Sequence, residues 1–135
     1  MALAGNTSIL LQNNHLENNK ALMGGCLFIG DSATPHTLST SFRRCKTTSG
    51  GAIAINGYSL PRFDDCTISE CIADSVGSGV LVEAFSTPIF TNSQFLFVFF
   101  FMLFQMSNAV TGIIIHPMKV QRCIYKIVHI VGYGM

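Results

Sequence analysis

The residues best suited to chemistry are a cluster of acids and a pair of arginines that precedes it. They are Arg43, Arg44, Asp64, Asp65, Glu70 and Asp74. Paired carboxylates a few ångströms apart perform glycoside hydrolysis, so one hypothesis is a polysaccharide lyase or glycoside hydrolase that uses Asp64, Asp65 or Glu70 beside Arg44. Adjacent residues of a strand point to opposite faces, so Asp64 and Asp65 alone do not form such a pair. We favour the simpler interpretation, a solvated ion pair between Arg44 and Glu70.

The cysteines and histidines are scattered along the chain. They are Cys26, Cys45, Cys66, Cys71 and Cys123, with His15, His36, His116 and His129. Their spacing contains no Cys-x-x-Cys pair with nearby histidines, and no nucleophile and base stand in a recognisable arrangement. We therefore expect no metal site, no cofactor site and no catalytic residue.

These residues lie within a repeat whose period, about 26 residues, is typical of a solenoid, in which repeats stack on one another. Each copy has a large apolar anchor, two variable residues, Asn or Cys, and then a Gly-Gly pair or a variant of it. The anchors recur at nearly constant intervals, and each has a companion five residues earlier. The anchors are Leu16, Phe42, Ile68 and Phe95, and the companions are Leu11, Thr37, Phe63 and Phe90.

Within each copy the local pattern indicates strands and corners rather than helices. The β-prone run 51–57 closes with Asn-Gly, and a second run lies at the anchors, as in 63–68. Both runs are too short for a helix that buries a face, while the Gly-Gly pair permits the positive φ of a sharp corner. We expect two or three short strands per coil, the name used here for one full turn of the solenoid. The predicted fold is a right-handed parallel β-helix of three to four coils.

Parallel stacking predicts columns of equivalent side chains. We expect an apolar column at the anchors and a small or polar column at Asn14, Thr40, Cys66 and Ser93. A third column holds Asn19, Cys45 and Cys71, with the asparagine at an inward corner. Cys45 and Cys71 then lie within disulfide range, but we favour buried reduced thiols.

The repeat elements resemble those of the polymorphic outer membrane protein family over about residues 9–98. Gly50-Gly51-Ala52-Ile53 is a literal GGAI element, and the segments 24–27 and 77–80 are degenerate copies. The anchors resemble the FxxN element, with Leu16 in place of Phe in the first copy and Cys45 in place of Asn in the second. The resemblance implies a β-helical passenger domain that is displayed at a cell surface as an adhesin.

Composition changes near residue 95 of this 135-residue chain. Residues 1–94 carry five basic and seven acidic side chains, whereas 95–135 carry three basic ones and no acid. Three scattered cations are too few for a nucleic-acid interface. The segment from Phe95 to Ile115 has no charged side chain and no histidine, and it is long enough to cross a bilayer as a helix. A membrane anchor is one hypothesis for this segment, and a closing coil or an unselected read-through are the others.

We therefore divide the chain into a β-helix repeat domain (1–94), a hydrophobic segment (95–118) and a short basic tail (119–135). The expected function is a non-catalytic structural or adhesive role, in which a stacked surface binds a protein or glycan ligand. The alternatives are the enzyme described above and an intracellular repeat scaffold. Residues 1–5 lack the features of a signal peptide, and we interpret the chain as a fragment of a longer solenoid. The expected location is extracellular or membrane-associated at the cell surface.

Overall fold

The computed structural model is an all-β protein whose parallel sheets stack as a β-solenoid of about three turns. The structure describes residues 1–49, 52–76, 79–96, 101–107, 114–116, 119–121 and 126–132, with side chains for 1–48, 52–74 and 79–96. The predicted fold class, a parallel β-helix of short strands, is confirmed.

Four parallel sheets form the faces of the solenoid, and we number them I to IV in the order in which a coil visits them. Sheet I contains β2 (Leu10–Gln12), β6 (His36–Leu38), β10 (Arg62–Asp64), β14 (Ile89–Thr91) and β17 (Ile114–His116). Sheet II contains β3 (His15–Glu17), β7 (Ser41–Arg43), β11 (Thr67–Ser69), β15 (Gln94–Leu96) and β18 (Lys119–Gln121). Sheet III contains β4 (Lys20–Met23), β8 (Lys46–Ser49) and β12 (Ile72–Val76). Sheet IV contains β1 (Ala2–Leu3), β5 (Leu27–Ile29), β9 (Ile53–Ile55), β13 (Val80–Glu83), β16 (Phe101–Ser107) and β19 (Lys126–Gly132).

The predicted columns coincide with the register of the parallel strands. In sheet II the anchors pair one above the other, in the order Leu16, Phe42, Ile68 and Phe95. In sheet I the companions pair in the same way, in the order Leu11, Thr37, Phe63 and Phe90. All of them are buried except Leu16, which packs against the core from the first coil. The repeat interval therefore fixes which side chains meet in the interior.

Aromatic rings fill the interior between sheets I and II. The rings of Phe63 and Phe90 are stacked with centroids 4.7 Å apart and an interplanar angle of 8°. Phe42 meets Phe63 edge to face at 6.5 Å. On the opposite side of the coil, sheet IV contributes fully buried aliphatic residues such as Ile53 and Val80. Burial of such side chains is the main source of stability in a fold with little charge.

The corner between sheets I and II divides a segment that we expected to be continuous. The run 63–68 was predicted as one strand, but it is interrupted at Asp65, whose φ is 53°. The same corner position has positive φ in the other coils, at Asn13, Ser39 and Asn92. A single residue in the left-handed region turns the chain between two short strands. Each of the first three full coils therefore has four strands, not the two or three that we predicted.

The corner between sheets II and III holds the predicted cysteine column. Positive φ occurs at Asn18, Arg44 and Glu70, and the residues that follow the last two, Cys45 and Cys71, are buried. Asn19 in the first coil is exposed instead. Its amide nevertheless donates to the carbonyl oxygen of Glu17 at 3.2 Å, the same two-residue contact that the Cys45 and Cys71 thiols make, and it lies 3.6 Å from Sγ of the buried Cys26. Asn19 therefore keeps its place in the predicted column although it is exposed.

The corner before sheet IV explains one glycine of the repeat. Gly24 has a φ of 59°, and a Cβ atom added there would lie 2.3 Å from the carbonyl oxygen of Leu27. Only glycine fits this corner, as predicted for the Gly-Gly pair. The equivalent residues Gly50 and Gly51 lie outside the described part of the chain.

The described residues after 95 extend the same ladders. Strand β17 pairs with β14, β18 with β15, and β19 with β16, all in parallel. Among the described residues, no helix has both the length and the apolar character needed to cross a membrane. The remainder of 95–118 lies outside the described residues, and membrane anchoring through Phe95 to Ile115 stays a prediction.

Candidate ligand-binding surface

Asp64 lies on the outer face of sheet I, between a histidine and an arginine. Nε of Arg62 donates to Oδ2 of Asp64 at 2.7 Å, and Nε2 of His36 lies 2.7 Å from the same oxygen. Burial by itself raises the pKa of Asp64, but hydrogen bonds with these two residues and with Thr91 outweigh it, so the pKa lies below its ordinary value. A general acid needs a raised pKa. Asp64 is therefore better described as an ion-paired structural carboxylate.

Asp65 occupies the exposed corner that follows Asp64. Nδ2 of Asn92, on the next coil, donates to Oδ1 of Asp65 at 2.5 Å. We expected Asp64 and Asp65 to point to opposite faces, but both carboxylates lie on the outside of the solenoid. The reason is that Asp65 is a corner residue with positive φ and does not follow the alternation of a strand.

A chain of ion pairs crosses the outer face of sheet II. Arg43 donates to Oε1 of Glu70 from Nε at 3.1 Å and from Nη2 at 2.9 Å. Arg44 donates to Glu17 on the preceding coil, and Oε2 of Glu17 lies 3.0 Å from Nε2 of His15. Hydrogen bonds with Arg44 and His15 lower the pKa of Glu17.

This network corrects the predicted ion pair. Glu70 pairs with Arg43 and not with Arg44, which pairs with Glu17 instead. Arg44 and Glu70 occupy the same corner position on successive coils. The two hydrogen-bonded pairs, Arg43 with Glu70 and Arg44 with Glu17, are offset by one position from the strict register of the repeat. Arg43 also lies 3.7 Å from Glu17, its partner in strict register.

The acids are thus distributed among separate partners. Asp64, Asp65 and Glu70 each contact a different set of basic or amide groups. Within the described ranges, no group of three or more His, Cys, Asp and Glu side chains could hold a metal ion. The contacts that the structure shows for these acids are therefore ion pairs and hydrogen bonds on the outer faces of the ladder.

Two of the cysteines differ from the expectation of reduced thiols. Cys26 and Cys45 form a disulfide bond across the coil, with their Cα atoms 5.5 Å apart. Cys66 and Cys71 are free and buried, as predicted, and burial raises the pKa of each thiol to about 11. Such thiols are poor nucleophiles at neutral pH. The side chain of Cys123 lies outside the described residues.

Cys45 and Cys71 remain stacked without a covalent bond. The backbone N–H of Cys45 donates to Sγ of Cys71 at 3.4 Å. Stacked side chains of a ladder point in the same direction, whereas Cys26 faces Cys45 across the interior. The disulfide therefore forms across the coil rather than along the axis.

A groove with a volume of about 410 Å³ lies over sheet III. Its walls are formed by the three described strands of that sheet, through Lys20, Ala21, Leu22, Lys46, Thr47, Thr48 and Asp74. Lys20 and Lys46 are in register on adjacent coils. Leu22 is 83% exposed, the highest exposure among the large hydrophobic side chains that the structure describes. The groove thus combines two cations with an uncovered apolar side chain.

A second exposed feature lies at the corner between sheets IV and I. The rings of Tyr58 and Phe85 stack with centroids 5.0 Å apart and an interplanar angle of 4°. Tyr58 is 62% exposed, and both residues have positive φ, at 62° and 61°. Bulky residues seldom adopt this conformation, so the corner places an aromatic ring in solvent at a conformational cost.

Neither surface appears among our predicted site residues, although the repeat carries a signal for both. Lys20 and Lys46 stand one repeat apart in the sequence, as do Tyr58 and Phe85. Applying the repeat interval to exposed residues, as well as to the apolar anchors, would have placed each pair on adjacent coils.

Comparisons of this chain with protein-family models, with curated proteins and with solved structures find no match.

Proposed function

We propose that this chain is a non-catalytic adhesive β-helix that binds a protein or glycan ligand at a cell surface. The observation that carries the proposal is the groove over sheet III, where Lys20, Lys46 and Leu22 are exposed together. On sheets I and II the described arginines are engaged with carboxylates. The side chains of the groove are the better candidates for contact with a partner.

We also propose membership of the polymorphic outer membrane protein family. Support comes from the residues that carry the resemblance: Ala52 and Ile53 of the GGAI element are buried, as are the anchors Phe42 and Ile68. These elements would be retained because they fill the interior of a coil. The disulfide between Cys26 and Cys45 supports a location outside the reducing cytosol.

The proposal is tested by screening the full chain on glycan and cell-surface protein arrays. Leu22→Asp places a charge in the groove and should weaken binding at least fivefold. Leu10→Asp is the matched control, because Leu10 is also an exposed leucine of the first full coil but lies on sheet I. If the wild type and Leu22→Asp bind equally well, the groove is not the binding site. If the wild type binds nothing on either array, the adhesive function is wrong.

The enzymatic alternative has its own test. A lyase or hydrolase that uses Asp65 would cleave pectin-like polymers, with or without calcium, and Asp65→Asn would abolish the turnover. The intracellular scaffold would be favoured instead if the protein in its cells carried Cys26 and Cys45 as thiols, since disulfides are rare in reducing compartments.

A further inference from the structure

Lys20 and Lys46 form a pair of like charges on adjacent strands of sheet III. They are directly opposed in the parallel ladder of sheet III, where neighbouring strands lie about 4.8 Å apart. Like charges at opposed positions destabilise a sheet. No described carboxylate forms an ion pair with either lysine. The pair is therefore available to an anion from outside the chain.

The charge of the groove changes along its length. The residue in register with Lys46 on the third coil is Ile72, and Asp74, two residues further along β12, lines the same groove. The register of β12 against β8 shifts between Ala73 and Val76, the stretch that contains Asp74. One end of the groove thus carries two positive charges and the other carries one negative charge.

We propose that this groove binds an acidic oligosaccharide in which a uronic acid alternates with a neutral sugar. The uronate lies between the ammonium groups of Lys20 and Lys46, and the neutral sugar lies at the Asp74 end, where the carboxylate accepts hydrogen bonds from its hydroxyl groups. Leu22 packs against the apolar face of a sugar ring. This inference rests on the proposed adhesive function and names the class of ligand.

The net charge of the groove favours an alternating uronic acid polymer over more densely charged polymers. Two lysines and one aspartate give the groove a net charge of +1, which matches one carboxylate for each pair of sugars. A heavily sulfated chain would place a second anion near Asp74, where repulsion disfavours it. Lysine suits this role because its ammonium group is a point charge with three donors and needs no fixed plane.

The test uses the full chain with a hyaluronan hexasaccharide, in which a uronic acid alternates with a neutral N-acetylated amino sugar, and measures binding by titration calorimetry. Lys20→Gln and Lys46→Gln should each weaken binding about five- to tenfold, and the double variant more than 30-fold, since each removes one charge-assisted contact. Lys46→Arg should stay within about threefold of the wild type, because the positive charge is kept. Arg62→Gln, which removes a cation from sheet I, should leave binding unchanged.

Asp74→Asn tests the role of the acidic end of the groove independently of the lysine end. It should increase the affinity for a heavily sulfated hexasaccharide at least fivefold, because the repulsion at that end is lost. The affinity for the hyaluronan hexasaccharide should change less than this.

Three results would overturn the inference: no binding of the hexasaccharide by the wild type, unchanged binding after both lysines are replaced, or an equal loss in Arg62→Gln. If a protein or a neutral glycan instead binds in a manner sensitive to Leu22→Asp, the adhesive function stands and the acidic-sugar inference fails. If no ligand of any kind binds, both fail.

Discussion

Thr37 is in register with Phe63 in the interior ladder of sheet I, and its hydroxyl group is fully buried. No hydrogen-bond partner for this hydroxyl lies among the residues that the structure describes. Thr37 thus interrupts an apolar column that contains Leu11, Phe63 and Phe90. A buried polar group without a partner destabilises the fold, because it loses its hydrogen bonds to water and forms none within the protein.

Thr37→Val should therefore stabilise the protein by about 1 kcal/mol, since valine has the same branched shape and lacks the unsatisfied oxygen. The free energy of unfolding in urea measures this. Thr40→Val is the matched control, because the buried Thr40 hydroxyl donates to the carbonyl of Leu38 at 3.1 Å and accepts from the backbone N–H of Asn14 at 3.4 Å. It should destabilise by a similar amount, and a loss of stability in both variants would contradict the prediction.

The disulfide between Cys26 and Cys45 closes a loop with a sequence separation of 19. A cross-link over a loop of about this size stabilises a fold by about 3 kcal/mol. We expect Cys45→Ala to lower the free energy of unfolding by roughly this amount and to make it insensitive to reductant. Wild type and Cys66→Ala should both lose stability when reductant is added. If complete reduction of the wild type leaves its unfolding midpoint unchanged, the cross-link has no stabilising role.

The thiols of Cys66 and Cys71 should be unreactive in the folded protein. With a pKa of about 11 for each, only about one thiol in a thousand is ionised at pH 8, and the thiolate is the reactive form. Alkylation by iodoacetamide, followed by peptide mass spectrometry, should be at least 100-fold slower in native protein than in urea. Equal rates in the two conditions would mean that these cysteines are not in the interior.

The Asp64 carboxylate should make the free energy of unfolding depend on pH in the acidic range. Its pKa in the folded protein lies below the ordinary value of 3.8, through hydrogen bonds that outweigh the opposing effect of burial. The stabilisation is therefore fully present above about pH 4 and is lost as pH falls through the folded pKa. We expect Asp64→Asn to reduce the fall in the urea midpoint between pH 5 and pH 2.

Replacing a partner of Asp64 gives the complementary result. In Arg62→Gln one of the hydrogen bonds that lower the pKa is lost while burial remains, so the acid-dependent loss should begin at higher pH than in the wild type. Identical pH profiles for the wild type, Asp64→Asn and Arg62→Gln would show that this cluster contributes nothing to acid stability.

The repeat interval in the sequence determined which residues stack along the axis. Leu16, Phe42, Ile68 and Phe95 lie in one ladder, because parallel strands on successive coils bring residues one repeat apart into register. The same rule also places Lys20 beside Lys46, which makes the charged end of the candidate groove predictable in principle.

The sequence could not determine how the chain bends between strands. Corners at Asp65 and Arg44 depend on single residues with positive φ that are not glycine. Aspartate tolerates this conformation, but so short a signal does not locate a corner, and arginine gives no such signal. They divide the coil into four strands, and the bend at Asp65 leaves its carboxylate on the same outer side as that of Asp64.

Contacts across a coil and along its diagonals were decided by the tertiary structure alone. Cys45 bonds to Cys26 rather than to the equivalent Cys71, and Arg43 takes the place of Arg44 beside Glu70. The repeat interval in the sequence determines the position of each residue along the axis of the solenoid. The direction of its side chain depends on the path of the backbone around the coil, which only the folded chain defines.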